Sequence, residues 1–351
     1  MDDSEWAGQL RYQLQKLSTE NSHLREINAR YEQQLRKAEE QLNAAGSAAK
    51  SHDEIIKNLQ SKLHQVSSQN SLLEEQRNAL MQQMQSEKIR NHVQQTSGVI
   101  PWEKVVVNKN DILGQGSCGI VYKGTFGSDE VAVKELLQQT AESRILFERE
   151  IRIMAQCRHP NLVLIMGVTN HRENPLLVTE LLHCDLRTLI EQQKGLKFEY
   201  VTSLSLDVAK GLGYLHAHNP PIIHRDVKTD NILVEKRGNT GKAKLSDFGT
   251  ANFYTPSMTP NRGTVMYAAP EVLTYNFQSP QMDVYSFGWV VQEMCTGNRP
   301  GPRDMIQQQI ELVFNTNLKQ LVSVTIRNNP LERPTMDKVI EVLKGLSSTS
   351  T

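Results

Sequence analysis

From Ala7 onwards, apolar side chains return at alternating steps of three and four: Ala7, Leu10, Leu14, Leu17, Leu24, Tyr31, Leu35, Ala38 and Leu42. This is the seven-residue repeat of a helix that buries one narrow seam against a partner. The same phase crosses a weak patch at Ala45, Ala49 and His52, then resumes with Ile56, Leu59, Leu63, Val66, Leu73, Leu80 and Met84. Asn21, Asn28, Asn70 and Arg77 fall at seam positions of that frame. A polar side chain there lowers stability but selects register and a low oligomer number. The pattern predicts a coiled coil over residues 1–93 that forms a parallel homodimer. An unbroken helix of that length would extend about 120 Å at about 1.5 Å per residue. Gly46-Ser47 marks a place where it would bend or break.

The repeat stops at Gln94-Gln95-Thr96-Ser97-Gly98, with Pro101 following, so residues 94–107 read as a linker. Beyond it the period changes. Val131-Ala132-Val133-Lys134 alternates as a strand, with the two valines on one face and Lys134 on the other. Ser143 to Gln156 has the spacing of an amphipathic helix whose buried edge carries Ile151 and Met154. Leu162 to Val168 is the longest apolar run, far too short to span a bilayer and suited to a buried strand.

Composition sharpens the division. Residues 1–93 contain no proline and are rich in Gln, Glu, Lys and Leu, whereas all 13 prolines of the 351-residue chain come after residue 100. The chain has 39 Lys plus Arg against 39 Asp plus Glu, and no concentrated basic run, so no nucleic-acid partner is expected. Cys118, Cys157, Cys184 and Cys295 lack the spacing of a zinc site or a disulfide framework and read as reduced thiols. The acidic start, Met1-Asp2-Asp3-Ser4-Glu5, leads into no apolar stretch. The expectation is a cytoplasmic protein without a membrane span.

The chemistry concentrates in His224-Arg225-Asp226-Val227-Lys228-Thr229-Asp230-Asn231 and, further on, Asp247-Phe248-Gly249. Asp226 is placed to accept the proton of an attacking hydroxyl, and Lys228 to neutralise charge on a moving phosphate. Asn231 and Asp247 supply oxygens for the Mg2+ that bridges the phosphates of ATP. Gly114-Gln115-Gly116-Ser117-Cys118-Gly119 alone is weak, because dinucleotide-binding folds share its form. The continuation Ile120-Val121-Tyr122-Lys123-Gly124 is β-like, so the loop reads as a strand-turn-strand lid over phosphates. Lys134 on the next strand is placed to reach the α and β phosphates, with Glu150 on the amphipathic segment as its carboxylate partner. Glu148 is the competitor, further from the buried edge.

With these motifs in this order, residues 108–347 resemble a eukaryotic protein kinase domain, followed by a short tail at 348–351. Ala269-Pro270-Glu271 and Asp283-Val284-Tyr285-Ser286-Phe287-Gly288 add to the resemblance, and Arg333 stands where the family pairs an arginine with the glutamate matched by Glu271. The segment from Asp283 to Trp289, with Trp102-Glu103, resembles the tyrosine kinase-like group. Lys228 and Gly263-Thr264 resemble serine/threonine kinases. The resemblance implies an α+β fold, with a small β-rich lobe and a larger helical lobe behind the coiled coil. It also implies transfer of the γ phosphate of ATP, with Mg2+, to serine or threonine hydroxyls of protein substrates.

The same resemblance gives Thr179 the gatekeeper position, Glu180 to Leu182 the hinge that meets adenine through its backbone, Val121 and Ala132 the roof, and Leu233 the floor. His183-Cys184-Asp185 replaces a common Gly-Gly-Ser segment and leaves Asp185 as the candidate ribose contact. Cys118 stands at the loop tip where the family has Phe or Tyr; a reactive thiol beside ATP is the sharper reading of Cys118 and Cys184, a tolerated small residue the plainer one. Arg225 matches an arginine that in this family awaits a phosphate on the activation loop, here with Thr255, Ser257 and Thr259 as acceptors; Thr264 is expected to help build the substrate platform. A non-enzymatic scaffold would lack a catalytic residue, whereas Lys134, Glu150, Asp226, Asn231 and Asp247 are all present.

Overall fold

The computed structural model describes residues 22, 25–37, 39–40, 56–73, 76, 99–116, 119–136, 140–169, 175–237, 240–254, 264–275 and 278–348. The chain divides into two units, Met1–Arg90 and Asn91–Thr351.

In the first unit, helices α1 (25–37) and α2 (56–73) bury the side that the heptads predict. Asn28, Tyr31 and Leu35 on α1 are half-buried, as are Ile56, Leu59, Leu63, Asn70 and Leu73 on α2, and Val66 is buried. The Lys62 ammonium lies 5.9 Å from the centre of the Tyr31 ring. One straight helix would hold residues 31 and 62 on the order of 45 Å apart. The two helices therefore lie side by side within one chain and do not continue one straight axis. The interval between them contains Ala45, Gly46, Ser47, Ala49 and His52, all outside the described residues. There the seam offers little apolar surface to hold a straight helix against a partner. The Oδ1 atoms of Asn28 and Asn70 are buried without a hydrogen-bond partner in this arrangement.

The second unit begins earlier than the linker reading allows. Strand β1 (Val99–Ile100) pairs in parallel with β5 (Ile165–Thr169), and β2 (Val105–Gly116) follows one helical turn later. Residues 99–107 belong to the sheet because Ile100 and Val105 are buried against Val131, Val133 and Val178. The remaining strands of this sheet are β3 (Gly119–Phe126), β4 (Asp129–Glu135) and β6 (Leu177–Glu180), in the order β1-β5-β6-β4-β3-β2. On β4, Val131 and Val133 are fully buried in the core cluster while Lys134 points to the other side, as the alternation requires. Helix α3 (Ala141–Gln156) starts at Thr140, whose hydroxyl accepts the amide of Ser143 at 3.1 Å. Of the apolar run from Leu162, residues 165–168 form most of β5, and Leu162 is buried against Leu245 through an isolated bridge.

The larger lobe follows with β7 (Cys184–Asp185), α4 (Leu186–Gln193), α5 (Phe198–His216), β8 (Ile222–Ile223), β9 (Ile232–Arg237), β10 (Thr240–Leu245), β11 (Asn252–Phe253) and α6 (Pro270–Tyr275). Its last helices are α7 (Pro280–Thr296), α8 (Ile306–Glu311), α9 (Thr316–Thr325) and α10 (Met336–Ser348). Helix α7 is buried on every side from Met282 to Cys295 and serves as the axis of this lobe. Arg333 donates to both Glu271 oxygens, at 2.6 and 2.8 Å, and to the carbonyls of Gln281, Arg327 and Asn328, with its guanidinium 4.9 Å from the Tyr285 ring. Both partners are almost completely buried, so removing one leaves the other charge without compensation. Arg333→Met should lower unfolding stability by about 3–5 kcal/mol, read from the urea midpoint. A loss below about 1 kcal/mol, the size of a surface pair, would contradict the structural role.

Candidate active site

The loop after β8 is held from beneath by one side chain. Asp283, buried near the start of α7, accepts the amide of His224 on Oδ2 and that of Arg225 on Oδ1, both at 2.9 Å. The His216 ring nitrogen lies 2.9 Å from the same Oδ2. These bonds hold Arg225 at φ 70°, a left-handed conformation that costs a non-glycine residue about 1–3 kcal/mol.

The next residue, Asp226, takes four hydrogen bonds. Its Oδ1 accepts the amide of Thr264 at 2.9 Å and the Thr264 hydroxyl at 2.7 Å. Its Oδ2 accepts Asn231 Nδ2 at 2.9 Å and the Lys228 ammonium at 2.8 Å, and that ammonium also donates to Thr264 Oγ1 at 2.8 Å. Burial alone would raise the Asp226 pKa, but Lys228 and Thr264 outweigh it and hold the carboxyl below its ordinary range. Asp226 is an anion at neutral pH, fixed in direction.

Lys134 donates to both oxygens of Glu150, at 2.7 and 2.8 Å, and to Asp247 Oδ1 at 3.1 Å. Glu150, 2% exposed, is thus the partner carboxylate. Burial works against the ammonium charge; Glu150 and Asp247 more than offset it and hold the Lys134 pKa above its usual value. The contact with Asp247 joins the sheet of the small lobe to the loop after β10.

Asn231 donates its Nδ2 hydrogens to the backbone carbonyl and Oδ2 of Asp226, both at 2.9 Å, which leaves its amide oxygen for a cation. Asp247, at φ 55°, contributes a carboxylate held by Lys134 and the Gly249 amide. One neutral and one anionic oxygen suit Mg2+, which takes few protein ligands and completes its shell with phosphate oxygens and water. Among the described residues no group of three or more His, Cys, Asp or Glu forms a metal site.

The strand register brings residues expected to line a nucleotide site beside these groups. Val121 pairs with Lys134, Ala132 with Thr179, and Leu233 with Asp185. Ala132 is buried, and Val121, Thr179, Leu182 and Leu233 are half-buried. Gly114 has open space where a side chain would begin, room that a phosphate can enter. Gly119 is needed for another reason, since a Cβ there would collide with the Glu135 carbonyl oxygen across the β3–β4 pair. Gln115 and Gly116 close β2, while Ser117 and Cys118 lie outside the described residues. The Glu180 carboxylate is turned to Lys244 at 2.6 Å and to the Leu164 amide at 2.8 Å, so its side chain braces the hinge from behind. Asp185 acts as the N-cap of α4, accepting the amide and the hydroxyl of Thr188 at 2.7 and 2.9 Å. Its carboxylate is engaged in starting a helix.

The model of the protein kinase domain matches residues 107–345. This chain belongs to the protein kinase family. It is 33% identical over 274 residues to the serine/threonine-protein kinase CTR1 of Arabidopsis thaliana, a match covering 70% of this chain and 32% of that protein. It is 38% identical over 208 residues to the probable serine/threonine-protein kinase SIS8 of the same plant, covering 57% and 20%. To the plant's serine/threonine-protein kinase STY17 it is 31% identical over 273 residues, covering 72% and 47%. The chain therefore spans less than half the length of each of these relatives.

Lys134 meets Glu150 and Asp247, and Asp226 meets Lys228 and Asn231, with three further side chains at these groups or at the segment that follows them. Thr264, expected to help build the substrate platform, touches Asp226 directly, and no periodic pattern in the sequence marks that contact. Arg149 and Arg152 on α3 face the start of the activation segment, through the Gly249 carbonyl at 3.4 Å and the Phe253 ring at 5.6 Å, where the sequence shows helix-surface charges. Among the described residues no helix is long and apolar enough to cross a membrane. Burial raises the Cys184 thiol pKa and pushes Cys157 and Cys295 up to about 12, so none of them is a thiolate at neutral pH. Iodoacetamide at pH 7 should leave all three unmodified while free cysteine is consumed, with Cys184, the least buried of them, labelled first as pH rises. Mass spectrometry that finds rapid labelling of Cys184 at pH 7 would restore the reactive-thiol reading.

Proposed function

We propose that this chain is a protein serine/threonine kinase, transferring the γ phosphate of ATP to serine or threonine hydroxyls of protein substrates. The observation that carries this reading is the Asp226 carboxylate, anionic and held by Lys228, Asn231 and Thr264, in one cleft with the Lys134–Glu150 pair. Asp226 accepts the substrate hydroxyl proton as the oxygen meets phosphorus, and Lys228 neutralises charge on the transferring group. Lys134, held by Glu150, takes the α and β phosphates. Mg2+ held by Asn231 and Asp247 would neutralise and orient the β and γ phosphates. The hinge backbone from Glu180 to Leu182, with Val121, Ala132, Thr179 and Leu233, encloses adenine. Serine and threonine as acceptors are supported by the Lys228–Thr264 contact and by the names of the relatives.

The activation segment has a receiving site for phosphate. Arg225 donates Nε to the Thr250 carbonyl at 2.6 Å and Nη1 to Gln278 at 2.9 Å. Burial, and then the nearby charge of Arg149, push its pKa down to about 10, so an anion brought there relieves a strained positive cluster. Thr255, Ser257 and Thr259 lie outside the described residues. Phosphorylation of one of them, by a second copy or by an upstream kinase, orders the segment against Arg225 and Arg149.

Residues 1–93 provide the second copy. The seam shared by α1 and α2 is the one a parallel homodimer would use, so opening the pair exchanges an internal partner for an external one. In parallel register Asn28 meets Asn28 and Asn70 meets Asn70, which satisfies the amides orphaned in the closed arrangement. Dimerisation raises the mutual concentration of two kinase domains and favours phosphorylation in trans.

Labelled γ phosphate from ATP-Mg2+ should reach a generic basic protein as phosphoserine and phosphothreonine, and Asp226→Asn should reduce that transfer by about 10³-fold or more. Phosphotyrosine would overturn the acceptor class; equal transfer by Asp226→Asn would overturn the mechanism; no transfer by the phosphorylated wild type would favour a scaffold. Thr264→Ala removes a hydrogen bond from the Asp226 anion, raises its pKa, and should move the acid limb of kcat/KM to higher pH. An unmoved limb would show that Thr264 does not tune the base. Removing residues 1–95 should make autophosphorylation steeply concentration dependent. A truncated chain that matches the full-length rate in dilute solution would exclude the trans mechanism.

A further inference from the structure

One carboxylate of the catalytic loop faces outward. In the short turn Thr229–Asn231 both flanking residues are buried, whereas the Asp230 side chain is 37% exposed. Arg299, in the loop after α7 and 39% exposed, holds it with both arms of the guanidinium fork: Nη2 donates to Oδ1 at 2.9 Å and Nη1 to Oδ2 at 3.3 Å. An exposed pair of this kind adds little to stability. Neither residue has a part in the phosphoryl transfer proposed above.

The place of the pair gives it a consequence for substrates. Asp230 comes four residues after Asp226, so the two backbones are separated by at most about 14 Å. A peptide in extended form, its hydroxyl at Asp226, brings side chains into that range within about four residues of the acceptor. The pair also borders the segment from Thr264 that closes over Asp226: Arg303 donates to the Ala268 carbonyl at 2.7 Å, and the charge of Asp230 reaches Tyr267. Other carboxylates there are matched, Asp226 by Lys228 at 2.8 Å and Glu293 by Arg187 at 2.7 Å. Without Arg299, Asp230 would be an open anion for a substrate Lys or Arg. With Arg299 in place, an incoming cation meets a guanidinium and must displace a partner held at high effective concentration by its own chain.

We propose that Arg299 is a specificity-determining residue that, by holding Asp230, turns the enzyme away from substrates with Lys or Arg close to the acceptor hydroxyl. This rests on the kinase reading above. The discrimination comes from a repulsive charge beside the acceptor and not from a pocket for a favoured side chain. A generic basic protein remains a substrate through acceptors with neutral neighbours. An ion pair that only tied two loops together would treat neutral and basic peptides alike.

The test compares the full chain with Arg299→Gln, and with Arg299→Gln combined with Asp230→Asn, on a serine peptide with neutral flanks. Copies of that peptide carry a single Arg at each of the four positions on either side of the serine. The wild type should use no Arg peptide better than the neutral one. Arg299→Gln should raise kcat/KM for an Arg peptide at one or two adjacent positions by about fivefold, chiefly through KM, while the neutral peptide stays within about twofold. Adding Asp230→Asn should cancel the gain, because the anion that the Arg meets is gone. The gain should also shrink as salt is raised. Binding of the same peptides, read by fluorescence anisotropy, should follow the same order and needs no turnover; a wild type that binds in this order yet transfers no phosphate would sink the kinase reading and leave the charge selection standing. Equal use and equal binding of neutral and Arg peptides by Arg299→Gln at every position, or a gain that survives Asp230→Asn, overturns the proposal.

Discussion

The catalytic half of this protein depends on a carboxylate that never meets substrate. Asp283 is buried on a helix that is apolar on nearly every side, where an unpaired charge would be intolerable. It is tolerated because two backbone amides, those of His224 and Arg225, and the ring of His216 converge on its two oxygens. The exchange works in both directions. The loop satisfies a buried anion, and the anion holds Arg225 in a left-handed conformation that an L-residue otherwise avoids. Asp226 is aimed by the residue before it, so the direction of the base is set by α7 and not by the loop's own preferences. The geometry at Thr264, Lys228 and Asn231 is built on that aim.

A similar economy governs the small lobe. Lys134 is shared by a carboxylate on α3 and another in the loop after β10, so one ammonium measures the placement of a helix and of the opposite lobe at once. Glu150 is the anion that depends on it most, being buried, whereas the Asp247 side chain is 45% exposed. If α3 swings away, Lys134 loses its main partner and Glu150 is left as a buried charge. The arrangement is therefore cooperative in the electrostatic sense, and the anion proposed to bind at Arg225, beside Arg149 of α3, would bias it.

How much of this was legible in the sequence depends on the range of the interaction. The Lys134–Glu150 pair was readable because strand alternation and helical periodicity each point one side chain inward, and the Asp226–Asn231 pair because both lie in one short loop. The Arg333–Glu271 pair was reachable through the family resemblance, although nothing local to either residue announces it. What could not be read was competition for a group already named. Asp185, a nucleotide-site candidate by position, also serves as the N-cap of the helix that begins after it. Ile100 sat in a stretch that reads as linker, because a two-residue strand has no periodicity and its partner, β5, comes more than sixty residues later. The amino-terminal heptads showed which side of the helix is buried and were silent on what buries it, since a seam records apolar spacing and not the identity of its partner.

That last ambiguity has physical consequences. The pairing of α1 with α2 and the proposed pairing of two chains draw on the same seam. The closed arrangement costs no association entropy but leaves Asn28 Oδ1 and Asn70 Oδ1 buried without a hydrogen-bond partner, at about 1–3 kcal/mol for each buried group left unsatisfied. In the open dimer proposed above those oxygens would pair across the seam, at the cost of the free monomer's translational freedom. The balance between the two forms would then turn on concentration. Asn at the seam, a poor choice for a structure meant only to be stable, suits such an exchange of partners.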